Sequence, residues 1–137
     1  MKPWLTTEPR LRDILQELSG REPIFHHPEL GATRADFQQM TDEGFWEVGA
    51  SGRRYSREYV LGVLQDRYRE PSYVALEDTW ETNDFACRQL ASDTYLLTYT
   101  LLQGSRKTRR STVWRRSSEG WKIMFHQGTV VEDDASE

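Results

Sequence analysis

The sequence predicts an α+β domain in which helices come first and an antiparallel sheet follows. Three observations carry this prediction. Leu11, Ile14, Leu15 and Leu18 recur at i, i+3, i+4 and i+7, the spacing of one apolar helix stripe. From Ser72 onward the period changes to two, with Tyr95, Leu97, Tyr99 and Leu101 alternating with Thr94, Leu96, Thr98 and Thr100. The late strands are joined by turns too short for the crossovers that parallel strands need.

The elements follow in order. Thr7 is placed to cap a first helix over Glu8–Ser19, Pro9 suits its first turn and Gly20 stops it. Arg21–Ala32 carries Pro23, Pro28 and Gly31 and reads as a loop. Thr33 with Asp36 three residues on has the form of a capping box, which starts a short helix over Arg34–Thr41 with Phe37 and Met40 facing inward. Gly44 ends that segment, Phe45–Gly49 reads as a strand, and Ala50–Arg53 as a turn. Ser56 caps a third helix over Arg57–Tyr68, whose inward set is Val60, Leu61, Val63 and Leu64, and Pro71 closes it. Tyr73–Leu90 reads as one long bent strand or two, with Asn83-Asp84 as the weak point. Turns at Ala91–Asp93 and Gln103–Lys107 bound the next strand. The last hairpin runs Arg109–Arg116, Ser117–Gly120 and Trp121–Thr129. A four-residue loop there sets Arg116 opposite Trp121 and Trp114 opposite Ile123.

At 137 residues the chain reads as one domain, 1–137, with a core over about 8–130 and an acidic tail at 132–137. The 12% share of aromatic residues supplies large rings for that core. A net charge of −4 argues against nucleic acid or an anionic membrane as partner. A lone cysteine, Cys87, excludes an internal disulfide, reads as a small buried hydrophobe and fits a reducing cytoplasm. No signal peptide and no membrane-spanning run is read from the sequence.

Three segments carry a family resemblance. They are Phe45-Trp46-Glu47-Val48-Gly49 with Ser51-Gly52-Arg53 and Tyr55-Ser56-Arg57-Glu58; Leu90 through Tyr99; and Arg110-Ser111-Thr112-Val113-Trp114-Arg115-Arg116 through Phe125-His126-Gln127-Gly128-Thr129. With these the chain resembles the nuclear transport factor 2-like superfamily, which includes SnoaL-like domains and ketosteroid-isomerase-like enzymes. Within it the chain looks like a bacterial group of small stand-alone domains of unknown function. The resemblance spans Leu11–Thr129. It implies a cone-shaped, cystatin-like fold: three N-terminal helices on a strongly curved, mostly antiparallel sheet. It further implies a hydrophobic pocket between helices and sheet, and pairing into a homodimer through the sheet's outer face. It implies no activity, because the superfamily hosts enzymes, binding modules and assembly domains. Catalytic members aim carboxylates or a His-Asp pair into the pocket, and no position here carries such a set over.

Glu47 and His126 are the candidates for catalysis. A buried carboxylate on a strand is a candidate general base, and Glu47 stands beside Trp46 in a matching segment; Asp78 and Asp84 are the other strand carboxylates. Histidine titrates near neutrality, which suits His126 to proton transfer. Simple alternation sets Ile123, Phe125 and Gln127 on the inner face and His126 with Met124 on the outer one, as an interface histidine; a bulge near Gly128 reverses this. Trp46, Tyr99, Trp114, Trp121, Phe125 and Gln127 are therefore the expected pocket lining, with indole N–H groups and a neutral amide to orient a ligand. His26-His27-Pro28 is expected in a loop over the mouth of the cone. Arg109, Arg110, Arg115 and Arg116 read as solvated or ion-paired strand residues. No H-x-x-x-H or C-x-x-C spacing is present, so no metal and no cofactor is expected. The leading functional expectation is a homodimeric domain that binds a small hydrophobic organic molecule. The alternatives are an isomerase, cyclase or dehydratase working through Glu47 or His126, and a protein-interaction module.

Overall fold

A computed structural model describes residues 3–70 and 80–132. One 3-10 turn, Pro9–Leu11, leads into α1 (Arg12–Ser19). Then come α2 (Arg34–Met40), β1 (Thr41–Val48), β2 (Arg54–Ser56), α3 (Arg57–Arg67), β3 (Trp80–Ala91), β4 (Thr94–Gln103), β5 (Arg106–Ser117) and β6 (Gly120–Val130). The strands form a single sheet in the order β2-β1-β6-β5-β4-β3. β1 runs parallel to β6, and the other neighbours are antiparallel. The α+β class and the four-strand meander are those read from the sequence.

Capping at α2 and α3 follows the local chemistry, whereas Thr7, expected to cap the first helix, accepts from the Cys87 amide instead. Thr33 Oγ1 accepts from the Asp36 amide while the Asp36 carboxylate accepts from the Thr33 amide, so the capping box is closed. Ser56 Oγ accepts from the Tyr59 amide at the head of α3. Helix α2 stops at Met40, one residue earlier than expected, because Thr41 is already extended and starts β1. Its hydroxyl donates to the Phe37 carbonyl, and Arg57 Nε donates to the same hydroxyl. The head of α3 thereby holds the joint between α2 and β1. The short strand β2, against which β1 turns back, was not expected. Pro71, Asp78 and the Tyr73–Thr79 part of the expected strand lie outside the described residues; Trp80–Ala91 is one strand, irregular between Asn83 and Ala86, where Asp84 has φ 62°.

The core lies between the helices and the inner face of the sheet. Leu18, Phe37 and Leu61 meet Leu97, Trp114, Trp121 and Ile123 there. The loop 21–33 is part of this core, with Glu22, Ile24 and Phe25 buried in it. Phe25 holds φ 67°, a left-handed conformation costly for a residue with a side chain. It is fixed by its neighbours: the Tyr68 hydroxyl donates to its carbonyl, and its ring meets Phe37 and Phe45 edge-on at 5.9 and 6.0 Å.

One irregularity decides the inner face of the last strand. Trp114 pairs with Ile123, as the hairpin register predicted, but Val113 pairs with Phe125, leaving Met124 as an extra residue. Beyond this bulge the alternation is inverted. His126 and Gly128 turn inward and are buried, while Gln127 is exposed and Phe125 faces outward.

Cys87 is 3% exposed on β3, and burial pushes its thiol above the usual range. The folded protein is therefore expected to resist alkylation by iodoacetamide at pH 8 and to react when denatured. Labelling of the native protein at the rate of a free thiol would contradict this.

Candidate functional site

The principal cavity, about 480 Å³, lies between α3, the loop 21–33 and the β1/β6 end of the sheet. That volume is in the range of small-molecule sites. Its apolar wall comes from Ile24, Phe25, Val60, Val63 and Leu64. Glu47, Tyr55, Tyr59, Gln103, His126 and three arginines (Arg67, Arg106 and Arg110) supply polar groups. Gly49 gives the Tyr55 ring its place at this wall, since a Cβ there would stand 2.9 Å from Cε2 of the ring.

The parallel pairing of β1 with β6 puts Glu47 directly beside His126 in register. His126 Nδ1 lies 3.2 Å from Glu47 Oε2. The imidazole is nearly enclosed, with a side-chain exposure of 6%, whereas the carboxylate retains 23%. Among the described residues, Trp80 Nε1, Thr112 Oγ1 and His126 Nε2 are buried with no hydrogen-bond partner, and of these His126 is the one that lines this cavity. The two residues singled out for catalysis from the sequence thus come together at one cavity. Neither alternation nor spacing indicated it, because the contact crosses 79 positions and depends on the bulge at Met124.

The expected pocket lining sits elsewhere. Trp46 is 43% exposed on the outer face and packs on Phe125 at a centroid distance of 4.8 Å. Gln127 is exposed beside them, carried out by the same bulge. Trp114 and Trp121 are buried in the core, and their N–H groups are already engaged: Trp114 Nε1 donates to Glu22 and Trp121 Nε1 to Glu17. Tyr99 lines a second cavity of about 450 Å³, with Leu5, Phe85, Arg109 and Arg110. Of the loop histidines, His26 borders the principal cavity. His27 is held between the Glu22 carbonyl at 2.8 Å and the Glu29 carboxylate at 2.9 Å. Asp84 lies away from the principal cavity, near Arg109. Among the described residues, no group of three or more His, Cys, Asp or Glu side chains is arranged to hold a metal.

Sequence reasoning passed over Glu22. It is 2% exposed, and its carboxylate accepts from Tyr99 Oη at 2.8 Å, Trp114 Nε1 at 3.1 Å and the Ile24 amide at 3.1 Å. Burial, and then the Glu22 carboxylate, push the Tyr99 hydroxyl far above the usual tyrosine range; Arg110, which also meets the phenol, opposes the shift. Arg110 stands opposite Gly128 across β5 and β6, and its Nε lies 3.7 Å from where a Cβ at 128 would stand, an ordinary contact distance. Arg110 therefore belongs both to this buried network and to the wall of the principal cavity.

No family model and no curated protein sequence matches the chain. Solved structures do. An uncharacterised protein with a cystatin-like fold from Caulobacter vibrioides superposes with a TM-score of 0.64 at 14% identity, over 90% of this chain and 92% of that one. A candidate ketosteroid isomerase from Parabacteroides distasonis gives 0.63 at 16% identity, over 93% and 96%. A nuclear transport factor 2-like protein from Cytophaga hutchinsonii gives 0.58 at 12% identity, over 88% and 98%. The fold is thus the nuclear transport factor 2-like, cystatin-like α+β cone, as the resemblance implied. At these identities the likeness concerns architecture alone.

Proposed function

We propose that this chain is a small-molecule-binding domain. Its ligand lies in the principal cavity, with an apolar body against Ile24, Val60, Val63 and Leu64 and a polar group beside Glu47 and His126. The observation that supports this reading is the Glu47–His126 contact inside a cavity of about 480 Å³. The lone buried Cys87 fits a reducing cytoplasm. A thermal-shift and native mass-spectrometry screen of small hydrophobic acids and ketones tests the reading. Glu47→Gln and His126→Ala are each expected to weaken the best ligand about tenfold, or about 1.4 kcal/mol. Unchanged affinity in both variants would remove the cavity as the site.

A second reading is favoured by His126 Nε2, which has no hydrogen-bond partner among the described residues. With Nδ1 turned to Glu47, Nε2 is the nitrogen left to exchange a proton with a bound molecule. This suits an isomerase, cyclase or dehydratase step next to a carbonyl. Exchange of α-protons of a bound ketone for solvent deuterium, followed by NMR, tests it; Glu47→Gln should slow exchange more than it weakens binding.

Assembly is a separate matter. Trp46, Phe125, Val113 and Leu96 are successive register partners across β1, β6, β5 and β4, forming an apolar row on the outer face. An apolar row open to water suits burial against a second copy of this chain, which the sequence resemblance also implied. Sedimentation equilibrium is expected to show a dimer, and Phe125→Asp a folded monomer. A wild-type monomer at micromolar concentration would end the proposal.

A further inference from the structure

Resting on the small-molecule reading, we propose that the ligand is an organic monocarboxylate whose head group is held by Arg106 and Arg110. The chain as a whole carries a net charge of −4, so a basic cavity does not follow from composition. Yet Arg67, Arg106 and Arg110 line this one, against Glu47 as the acidic residue of its lining. Some arginines elsewhere on the fold are ion-paired: Arg34 meets Glu58 at 3.0 Å and Arg115 meets Asp42 at 2.8 Å. Among the described residues, Arg106 and Arg110 have no such carboxylate partner. Arg110 Nε donates to Thr108 Oγ1 at 3.1 Å, and the guanidinium also meets the Tyr99 hydroxyl. A guanidinium has five N–H donors, so these two contacts leave donors for a carboxylate. Tyr99, held by Glu22, and Thr108 give Arg110 two fixed neighbours on its own part of the sheet. Arg106 and its register partner Gln103 close the same wall at the β4–β5 turn.

The other groups of the cavity narrow the class. The apolar wall asks for a hydrocarbon or aryl body. The two guanidinium groups assigned to the head group carry two positive charges against the one negative charge of Glu47, so a monoanion brings these groups to neutrality, whereas a dianion leaves an uncompensated negative charge among them. A carboxylate therefore suits the lining better than a phosphate ester.

The test is titration calorimetry on the full chain with aryl- and alkyl-carboxylates, each beside its uncharged primary amide, with 3-phenylpropionate, 3-phenylpropanamide and 2-phenylethyl phosphate as the reference set. The acids are expected to bind at least about tenfold tighter than their amides, as two charge-assisted contacts allow. This preference should shrink at high salt and in Arg106→Gln, whose exposed side chain makes it a safe variant for folding, and vanish in Arg110→Gln. Amides binding as tightly as acids would overturn the carboxylate assignment and leave the small-molecule reading standing. So would tighter binding of the phosphate ester. If neither acids nor amides bind, both readings fall. A preference for acids that survives Arg106→Gln and Arg110→Gln undiminished would also overturn the assignment.

Discussion

Glu22→Ala is expected to destabilise the fold by about 2–6 kcal/mol, since it strands two buried side-chain donors at about 1–3 kcal/mol each. Those donors are the Tyr99 hydroxyl, 2.8 Å from Oε1, and the Trp114 indole N–H, 3.1 Å from Oε2; the two residues are 3% and 2% exposed. Against a typical domain stability of about 5–15 kcal/mol this is a large fraction, and the midpoint of thermal unfolding should fall on the order of 10–20 °C. Glu22→Gln separates the contacts. An amide oxygen in the place of Oε1 still accepts from Tyr99 and from the Ile24 amide, while the NH2 group faces the Trp114 donor. The glutamine variant should therefore lose less than the alanine variant. Adding Trp114→Phe should cost less in the Glu22→Gln background than in the wild type, a coupling that chemical denaturation can measure. A loss below about 1 kcal/mol for Glu22→Ala would mean the carboxylate contributes nothing net.

This node shows where sequence reasoning reached and where it stopped. Patterns within one element were readable: the Thr33–Asp36 capping box, the Ser56 cap and the final hairpin register all arise from neighbours a few residues apart. The site was legible only in its membership. Glu47 and His126 were singled out by residue type, but their contact depends on the parallel β1–β6 pairing, which no turn signals. Phe125 and Gln127 were expected on the pocket wall, and they lie outside it, for one physical reason. Ile123, Met124 and Phe125 are all apolar, so an extra residue among them leaves no break in the hydrophobic pattern. The inverted alternation beyond the bulge carried Phe125 and Gln127 out and His126 in. Glu22 in turn stands in Arg21-Glu22-Pro23, where it reads as a solvated loop residue; its partners lie 77 and 92 positions away.

The same network should make the protein sensitive to alkali. The Tyr99 phenol keeps its proton in the folded state well past the ordinary tyrosine range, through burial first and the neighbouring Glu22 carboxylate second. In the unfolded chain the phenol ionises near its reference value of about 10. Above that pH the unfolded state binds fewer protons than the folded one, so the sign of the linkage is a stability that falls as pH rises. The contribution of Tyr99 is fully present below pH about 10, and it declines by about 1.4 kcal/mol for each pH unit above it. Urea unfolding at stepped alkaline pH reads this slope directly. Lysines and other phenols also titrate there, so the comparison that isolates Tyr99 is with Tyr99→Phe. That variant should be less stable than the wild type at neutral pH, because Glu22 loses a donor. Its alkaline slope should be shallower by about one proton's worth, and the two stability curves should converge and then cross as the wild type loses what the phenol contributed. Parallel curves would show that Tyr99 ionises as freely in the fold as in water. In that case the buried Glu22–Tyr99 contact would not be holding Arg110 against the cavity wall.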